Sequence, residues 1–90
     1  MLGWLFGARA REVVLYTRQG CHLCHDALAL LERERPAFGF ALSVVDVDSD
    51  PALAERHGLE VPVVLVDGKP RLRGTVNAVL LRRALRGSPG

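Results

Sequence analysis

The chain carries the run Gly20-Cys21-His22-Leu23-Cys24-His25, which holds both of its cysteines, separated by two residues. An apolar, β-branched segment at 12–17 precedes this run and is typical of a strand. Good helix formers follow it without interruption at 26–35. We therefore expect the two cysteines to lie where a strand ends and a helix begins.

This position would activate the first cysteine of the pair. The first turn of a helix has unpaired backbone N–H groups and carries the positive end of the helix dipole. Both features stabilise a thiolate and lower the pKa of a thiol from its free value of about 8.5. We expect Cys21 at or just before the helix start, and Cys24 one turn in, less exposed but within reach of Cys21. Arg18 and His22 are expected to add positive charge on the same side. The pattern favours a reversible dithiol–disulfide couple.

The composition excludes several classes of protein. With 90 residues the chain makes one domain. Its 49% apolar and 24% charged residues are typical of a globular protein. The formal net charge is only +2 and the basic residues are scattered along the chain, which argues against a nucleic-acid-binding protein. Two cysteines cannot build the disulfide framework of a small secreted protein. We expect a cytoplasmic protein.

The two ends of the chain are expected to lie outside the domain. The apolar run from Leu2 to Ala8 is too short to span a bilayer, and its order of charges is not that of a secretory signal. We interpret 1–11 as a loosely ordered N-terminal extension in which Trp4 or Phe6 packs on the domain. A docking patch for a partner or a membrane surface is the alternative. The domain is assigned to 12–86, and 87–90 is a frayed tail. No membrane span is expected.

The rest of the domain alternates between strand and helix patterns. The helix after the cysteines is expected to stop at Pro36, and an apolar strand at 40–47, buried on both faces, is expected to follow it. A helix is predicted at 51–57, capped by Asp50 and with Gly58 at its C′ position, and a strand at 63–66. A turn at 67–70 and a charged edge strand at 71–73 come next. The last helix is predicted at 76–85, capped by Thr75, with an apolar stripe of Val76, Val79, Leu80, Leu81 and Leu85. A strand, a helix and a strand within about 35 residues indicate two parallel strands.

The order β-α-β-α-β-β-α, with the cysteine pair at the first strand-to-helix junction, resembles the glutaredoxin-like family of the thioredoxin fold, and small bacterial glutaredoxin-like proteins in particular. The likeness spans 12–86 and is carried by the stretches 16–24, 46–53 and 58–64. It implies an α/β protein with a four-stranded mixed sheet and helices on both faces. It also implies a thiol-disulfide oxidoreductase whose redox-active, catalytic disulfide joins Cys21 and Cys24, without a metal or an organic cofactor.

The resemblance also implies how a substrate would bind. The candidate substrate-binding residues are Arg18, His22, Val61, Pro62, Gly74 and Thr75, and the bond before Pro62 is expected to be cis. Glutaredoxins bind glutathione partly through a Gly-Gly turn followed by an acidic residue. This chain instead has Gly74-Thr75-Val76-Asn77 there, which favours protein disulfides as substrates. The expected reductant is glutathione or an enzyme of the thioredoxin-reductase type, and the expected oligomeric state is a monomer.

Other interpretations of the motif remain open. Cys21, Cys24 and His25, together with His57 or His22, are ligand types that a zinc-binding module would use. The pattern Cys-x-x-Cys-His also matches a haem-attachment site. A thioredoxin-fold adaptor that binds a partner without turning it over would have the same fold, so only an activity measurement would distinguish it.

Overall fold

The computed structural model describes residues 11–86. The extension expected before the first strand, apart from Arg11, and the tail expected at 87–90 lie outside the described residues. The strands are β1 (Glu12–Thr17), β2 (Ala41–Asp46), β3 (Val63–Val66) and β4 (Lys69–Arg73), and the α-helices are α1 (His22–Phe38), α2 (Pro51–His57) and α3 (Ala78–Arg86). A short 3-10 turn, Val47–Ser49, leads from β2 towards α2. No helix in this part of the chain is long and apolar enough to cross a bilayer.

The four strands form one mixed sheet in the order β2-β1-β3-β4. β1 is parallel to β2 and antiparallel to β3, and β3 is antiparallel to β4. The parallel β1–β2 pair joined through α1 confirms the strand–helix–strand unit expected from the spacing. The α/β class and the mixed sheet are confirmed as well.

The helices cover both faces of this sheet. Val13 and Leu15 of β1 point to one face, where they pack with Leu31 of α1 and Leu81 of α3 in a fully buried core. Tyr16 points to the opposite face because successive side chains alternate along a strand. Its ring packs against His57 of α2, with the two ring centroids 5.0 Å apart. α2 therefore lies on the other side of the sheet from α1 and α3.

The exposure of β2 differs from the expectation. An apolar strand buried on both faces was expected, but Ser43 is exposed and Val44 has 48% of its surface accessible. β2 lies at an edge of the sheet, where the faces of a strand are less completely covered than at the centre. Only the flanking residues Phe40 and Val47 are fully buried. The apolar pattern predicts a strand here but does not predict its place in the sheet.

The end of α1 also differs from the expectation. Pro36 lies inside the helix, which continues to Phe38. Proline fits the φ angle of a helix and removes only one backbone hydrogen bond, and here that loss falls in the last turn. The helix ends instead at Gly39, whose φ of 73° is left-handed and whose N–H donates to the carbonyl of Arg35 at 2.7 Å.

The last helix begins two residues later than expected. Asn77, and not Thr75, is its cap, because the Asn77 Oδ1 accepts a hydrogen bond from the N–H of Leu80 at 2.9 Å. The side of this helix that faces the core carries Leu81 and Leu85, and residues two apart in a helix lie on opposite sides. Leu81 is buried as expected, but Val79, placed in the apolar stripe by the sequence, has 63% of its surface exposed.

β4 begins earlier than expected because the hairpin turn is short. Asp67 and Gly68 both have positive φ angles, 52° and 85°, which are typical of a two-residue turn between antiparallel strands. The strand therefore starts at Lys69 and includes Pro70. Its position at the sheet edge is the one expected, and an edge strand tolerates a proline.

Candidate active site at the start of the first helix

Cys21 is the N-cap residue of α1. Its backbone is extended, and its Sγ accepts a hydrogen bond from the N–H of Cys24, with 3.1 Å between nitrogen and sulfur. Gly20 precedes it with a φ of 79°, a conformation that allows the sharp turn between β1 and α1. The sulfur atom therefore lies where the unpaired N–H groups of the first helical turn converge.

The two cysteines are joined by a disulfide bond, and their Cα atoms are 5.2 Å apart. Cys21 is partly exposed, whereas Cys24 faces the interior and keeps only 3% of its surface accessible. This is the order of exposure that the sequence predicts. A partner molecule can reach the sulfur of Cys21 more readily than that of Cys24.

The surroundings of Cys21 favour negative charge on sulfur. The first turn of α1 contains no acidic residue, so no carboxylate counters the positive end of the helix dipole. His22 and Leu23 are exposed and leave this end of the helix open to solvent. These are the conditions under which a cysteine at a helix N-terminus becomes reactive.

The guanidinium of Arg18, which is expected to add positive charge on the side of the cysteines, is paired with a carboxylate. Its Nε and Nη2 atoms donate to the two carboxylate oxygens of Asp48, each at 2.9 Å, and its Nη1 donates to the carbonyl of Gly58 at 3.0 Å. The hydrogen bond from Arg18 holds the pKa of Asp48 below its ordinary value, and the same pairing raises the pKa of Arg18. Only its backbone meets the cysteine turn, where the carbonyl of Arg18 accepts from the N–H of Cys21 at 3.3 Å. Arg18 therefore joins that turn to the loop before Pro62.

A glycine is needed at position 58 because a side chain would not fit there, and not because the backbone is left-handed. A glycine at the C′ position of a helix is commonly left-handed, but the φ of Gly58 is −57° and its ψ −32°, which any residue adopts. A Cβ atom at this position would lie 2.5 Å from the carbonyl oxygen of Ala54 and 2.8 Å from Nη2 of Arg18. The glycine lets Arg18 reach the end of α2.

The Val61–Pro62 peptide bond is cis, as the resemblance implies. Pro62 is buried, and its carbonyl accepts the N–H of Gly74 at 2.8 Å. The next residue, Val63, pairs with Tyr16 of β1, so Pro62 lies at the sheet end from which the chain runs to Cys21. Within residues 11–86 the N–H and C=O of Val61 make no backbone hydrogen bond.

Gly74 and Thr75 lie beside this proline loop. The N–H of Gly74 is shared between the carbonyls of Pro62 at 2.8 Å and Glu60 at 3.1 Å, and its φ of 76° lets the chain turn out of β4. Thr75 is exposed, and its N–H donates to the carbonyl of Arg73 at 2.9 Å. The expected substrate-binding residues thus collect at one end of the sheet, with the exception of the Arg18 guanidinium, which is turned to Asp48.

His57, the last residue of α2, is buried and has a partner. Its Nδ1 lies 3.0 Å from Oε2 of Glu60, and Oε1 of the same glutamate lies 3.3 Å from Nε of Arg73. The spacing of three residues between His57 and Glu60 is the only sequence signal for this contact.

Among the side chains of residues 11–86, no group of three or more His, Cys, Asp or Glu is placed to hold a metal ion. The zinc interpretation therefore finds no ligand set here.

Residues 12–86 match the family described as Glutaredoxin-like domain (DUF836). The chain belongs to this family. The uncharacterized protein Rv0508 of Mycobacterium tuberculosis is similar to it, 33% identical over 87 residues that cover 87% of this chain and 90% of the relative. The solved structure of target protein XcR50 from X. campestris is 36% identical, with a TM-score of 0.74, and the match covers 86% of this chain and 99% of that one.

More distant structures show the fold alone. The structure of a thioredoxin from Fasciola hepatica superposes with a TM-score of 0.60 at 23% identity, over 93% of this chain and 88% of its own. The glutaredoxin-like family and the thioredoxin-like fold implied by the sequence resemblance are therefore confirmed.

Proposed function

We propose that this glutaredoxin-like protein is a thiol-disulfide oxidoreductase that reduces protein disulfides in the cytoplasm. The observation that carries the proposal is the disulfide between Cys21, a partly exposed helix cap, and Cys24, a buried residue one turn further on. One reactive sulfur and one protected sulfur within bonding distance are the two parts that such a couple needs.

The reaction starts from the reduced pair. The thiolate of Cys21, which accepts the N–H of Cys24 as a hydrogen bond, attacks one sulfur of the substrate disulfide. A bond forms between Cys21 and that sulfur, and the other substrate sulfur leaves as a thiolate and takes a proton from water. The thiolate of Cys24 then attacks Sγ of Cys21, which releases the second substrate thiolate and leaves the Cys21–Cys24 disulfide. Two electrons have passed to the substrate. Glutathione or a reductase of the thioredoxin-reductase type then supplies two electrons to the Cys21–Cys24 disulfide and restores the reduced pair.

The proline loop supports a peptide substrate. Because the N–H and C=O of Val61 have no backbone partner in the described part of the chain, an extended substrate segment can pair with them as an added strand. Thr75 is exposed beside this position. The side chain of Asn77, which occupies the place expected of an acidic residue in a glutathione site, is committed to capping α3. This arrangement favours protein disulfides over small glutathione mixed disulfides.

The test compares Cys21→Ser with its matched variant Cys24→Ser. Cys21→Ser should abolish the reduction of insulin. Cys24→Ser should keep a nucleophile that alkylates rapidly at neutral pH, and it should accumulate a mixed disulfide with the substrate. The wild-type protein should reduce insulin efficiently and turn over a small glutathionylated thiol only weakly.

Three results would contradict the proposal. Faster alkylation of Cys24 would reverse the roles of the two residues. Slow and equal alkylation of both would indicate inert thiols and an adaptor protein. Efficient turnover of the glutathionylated thiol would overturn the preference for protein substrates.

A further inference from the structure

The charged residues are segregated in the fold, although they are scattered along the chain. Residues 68–86 contain no carboxylate and six cations, all exposed, which we call the basic edge: Lys69, Arg71, Arg73, Arg82, Arg83 and Arg86. The segment 46–55, which leads from β2 into α2, contains four carboxylates and no cation: Asp46, Asp48, Asp50 and Glu55. β2 and β4 are the two outer strands of the sheet. The two charge groups therefore lie at opposite edges of the domain.

The basic edge is assembled from β4 and α3, which are in contact. Leu72 of β4 packs against the same core as Leu81 and Leu85 of α3. Carboxylates from outside the edge neutralise part of its charge: Glu34 binds Arg82 through bonds of 3.0 and 2.8 Å, and Glu60 lies 3.3 Å from Arg73.

The positive charge of the basic edge is only partly neutralised. Within residues 11–86 no carboxylate pairs with Lys69, Arg83 or Arg86. Lys69 lies at the hairpin end of β4, and the two arginines lie in the second half of α3. These cations are spread along a strand and a helix and do not converge on one pocket. They therefore fit an extended acidic surface better than a single small anion.

The basic edge begins next to the candidate active site. Arg73, the last residue of β4, pairs with Val63, and the following N–H of Gly74 donates to the carbonyl of Pro62. From there β4 leads back to the hairpin. A protein whose disulfide reaches Cys21 across the proline loop would place its neighbouring surface against this edge.

We propose that the basic edge docks a protein partner that carries acidic residues next to its reactive disulfide. The proposal rests on the proposed function, since this partner is the protein substrate. Opposite charges at the two edges orient an acidic partner before contact, because the 46–55 segment repels it and the basic edge attracts it. The same acidic segment would repel the phosphates of a nucleic acid that wrapped around the domain.

The test uses two synthetic peptides with the same disulfide ring, one flanked by four glutamates and the other by four lysines. The second-order rate at which each peptide oxidises the reduced protein is measured at several salt concentrations by acid quenching and alkylation. The glutamate peptide should react faster at low salt. Its advantage should vanish near 1 M salt, where the Debye length is about 3 Å.

Two charge reversals locate the effect. Arg83→Glu should slow the glutamate peptide about fourfold at low salt, as expected for reversing a unit charge roughly 10 Å from one glutamate in water. The matched control is Arg56→Glu on α2, which changes the net charge equally and should leave the rate within the error of the wild-type value. Lys69→Glu on β4 repeats the test if the Arg83 variant folds poorly.

A second measurement separates docking from catalysis. The oxidised protein is titrated with a linear tetraglutamate peptide that lacks cysteine, and amide shifts are followed by NMR. Shifts confined to β4 and α3 would support the docking surface even if neither disulfide peptide were reduced, a result that would refute only the proposed function. Equal rates for both peptides without shifts at β4 and α3 would overturn the docking proposal and leave the function standing. Tighter binding of a short duplex DNA to the same residues would also overturn it.

Discussion

Replacing Gly58 by alanine tests the contact between α2 and Arg18. The backbone angles at this position suit any residue. Because alanine restricts the unfolded chain, it should by this effect alone raise the free energy of unfolding by about 0.4–1 kcal/mol. The added Cβ atom would, however, lie 2.5 Å from the carbonyl oxygen of Ala54. That oxygen accepts the N–H of Gly58 at 2.9 Å and cannot swing aside as a side chain would. Overpacking of this kind costs about 1–3 kcal/mol. We expect a net loss of about 1–2 kcal/mol in the free energy of unfolding.

The matched control is Gly39, where a Cβ atom would meet nothing within 4 Å but the φ of 73° is left-handed. Gly39→Ala should lower the free energy of unfolding by about 1–2 kcal/mol for a different reason, because alanine is strained in a left-handed backbone. Asparagine distinguishes the two causes in urea denaturation. It tolerates a left-handed backbone, so Gly39→Asn should recover most of the loss, whereas Gly58→Asn should be at least as unstable as Gly58→Ala. The steric argument would be refuted if Gly58→Ala matched the wild type or if asparagine restored stability at position 58.

The same substitution should be visible at the carboxyl group of Asp48. A Cβ atom at position 58 displaces the guanidinium of Arg18, which now holds the pKa of Asp48 below its ordinary value. In the Gly58→Ala variant the pKa of Asp48, measured by NMR titration, should therefore rise towards that ordinary value. An unchanged titration would show that Arg18 accommodates the methyl group without leaving Asp48.

Two further predictions concern α3 and its contact with α1. Asn77→Ala should lower the free energy of unfolding by about 1 kcal/mol, because the N–H of Leu80 loses its acceptor. The control Thr75→Ala should change this free energy by less than about 0.5 kcal/mol. Equal losses in urea denaturation would contradict the observed cap. Glu34→Gln should destabilise the protein at neutral pH, and the difference from the wild type should disappear on acidification. Because the hydrogen bond from Arg82 lowers the pKa of Glu34 in the folded state, its contribution is present above the unfolded pKa of about 4.3 and is lost as the pH falls through the lowered value. A difference that stayed constant down to about pH 2 would rule out this linkage.

The elements with strong local signals are predictable from the sequence. The bounds of β1, α2 and β3 agree with the pattern because β-branched runs and the Asp50-Pro51 helix start act within a few residues. The position of the cysteine pair at the start of α1 is predictable for the same reason. The cis bond before Pro62 could be expected only from the resemblance to the family, since proline at a strand start does not by itself require it.

Features that depend on distant neighbours were not predictable. The partners of Arg18 lie 30 and 40 residues away along the chain, so no local pattern indicates that its charge is paired. The role of Gly58 follows from that contact, so the sequence indicates its place at the end of α2 but not the reason that a glycine is needed there. The choice of Asn77 over Thr75 depends on the direction in which the chain leaves Gly74.

The loop that carries Val61 is held from two sides. Arg18 binds the carbonyl of Gly58 on one side, and on the other Glu60 accepts contacts from His57 and Arg73. A loop held in this way loses its conformational entropy when the protein folds and not when a partner arrives. A strand that pairs with Val61 would then lose only its own freedom on binding, so even a short segment could bind measurably. Release of the reduced product would restore entropy to the partner alone.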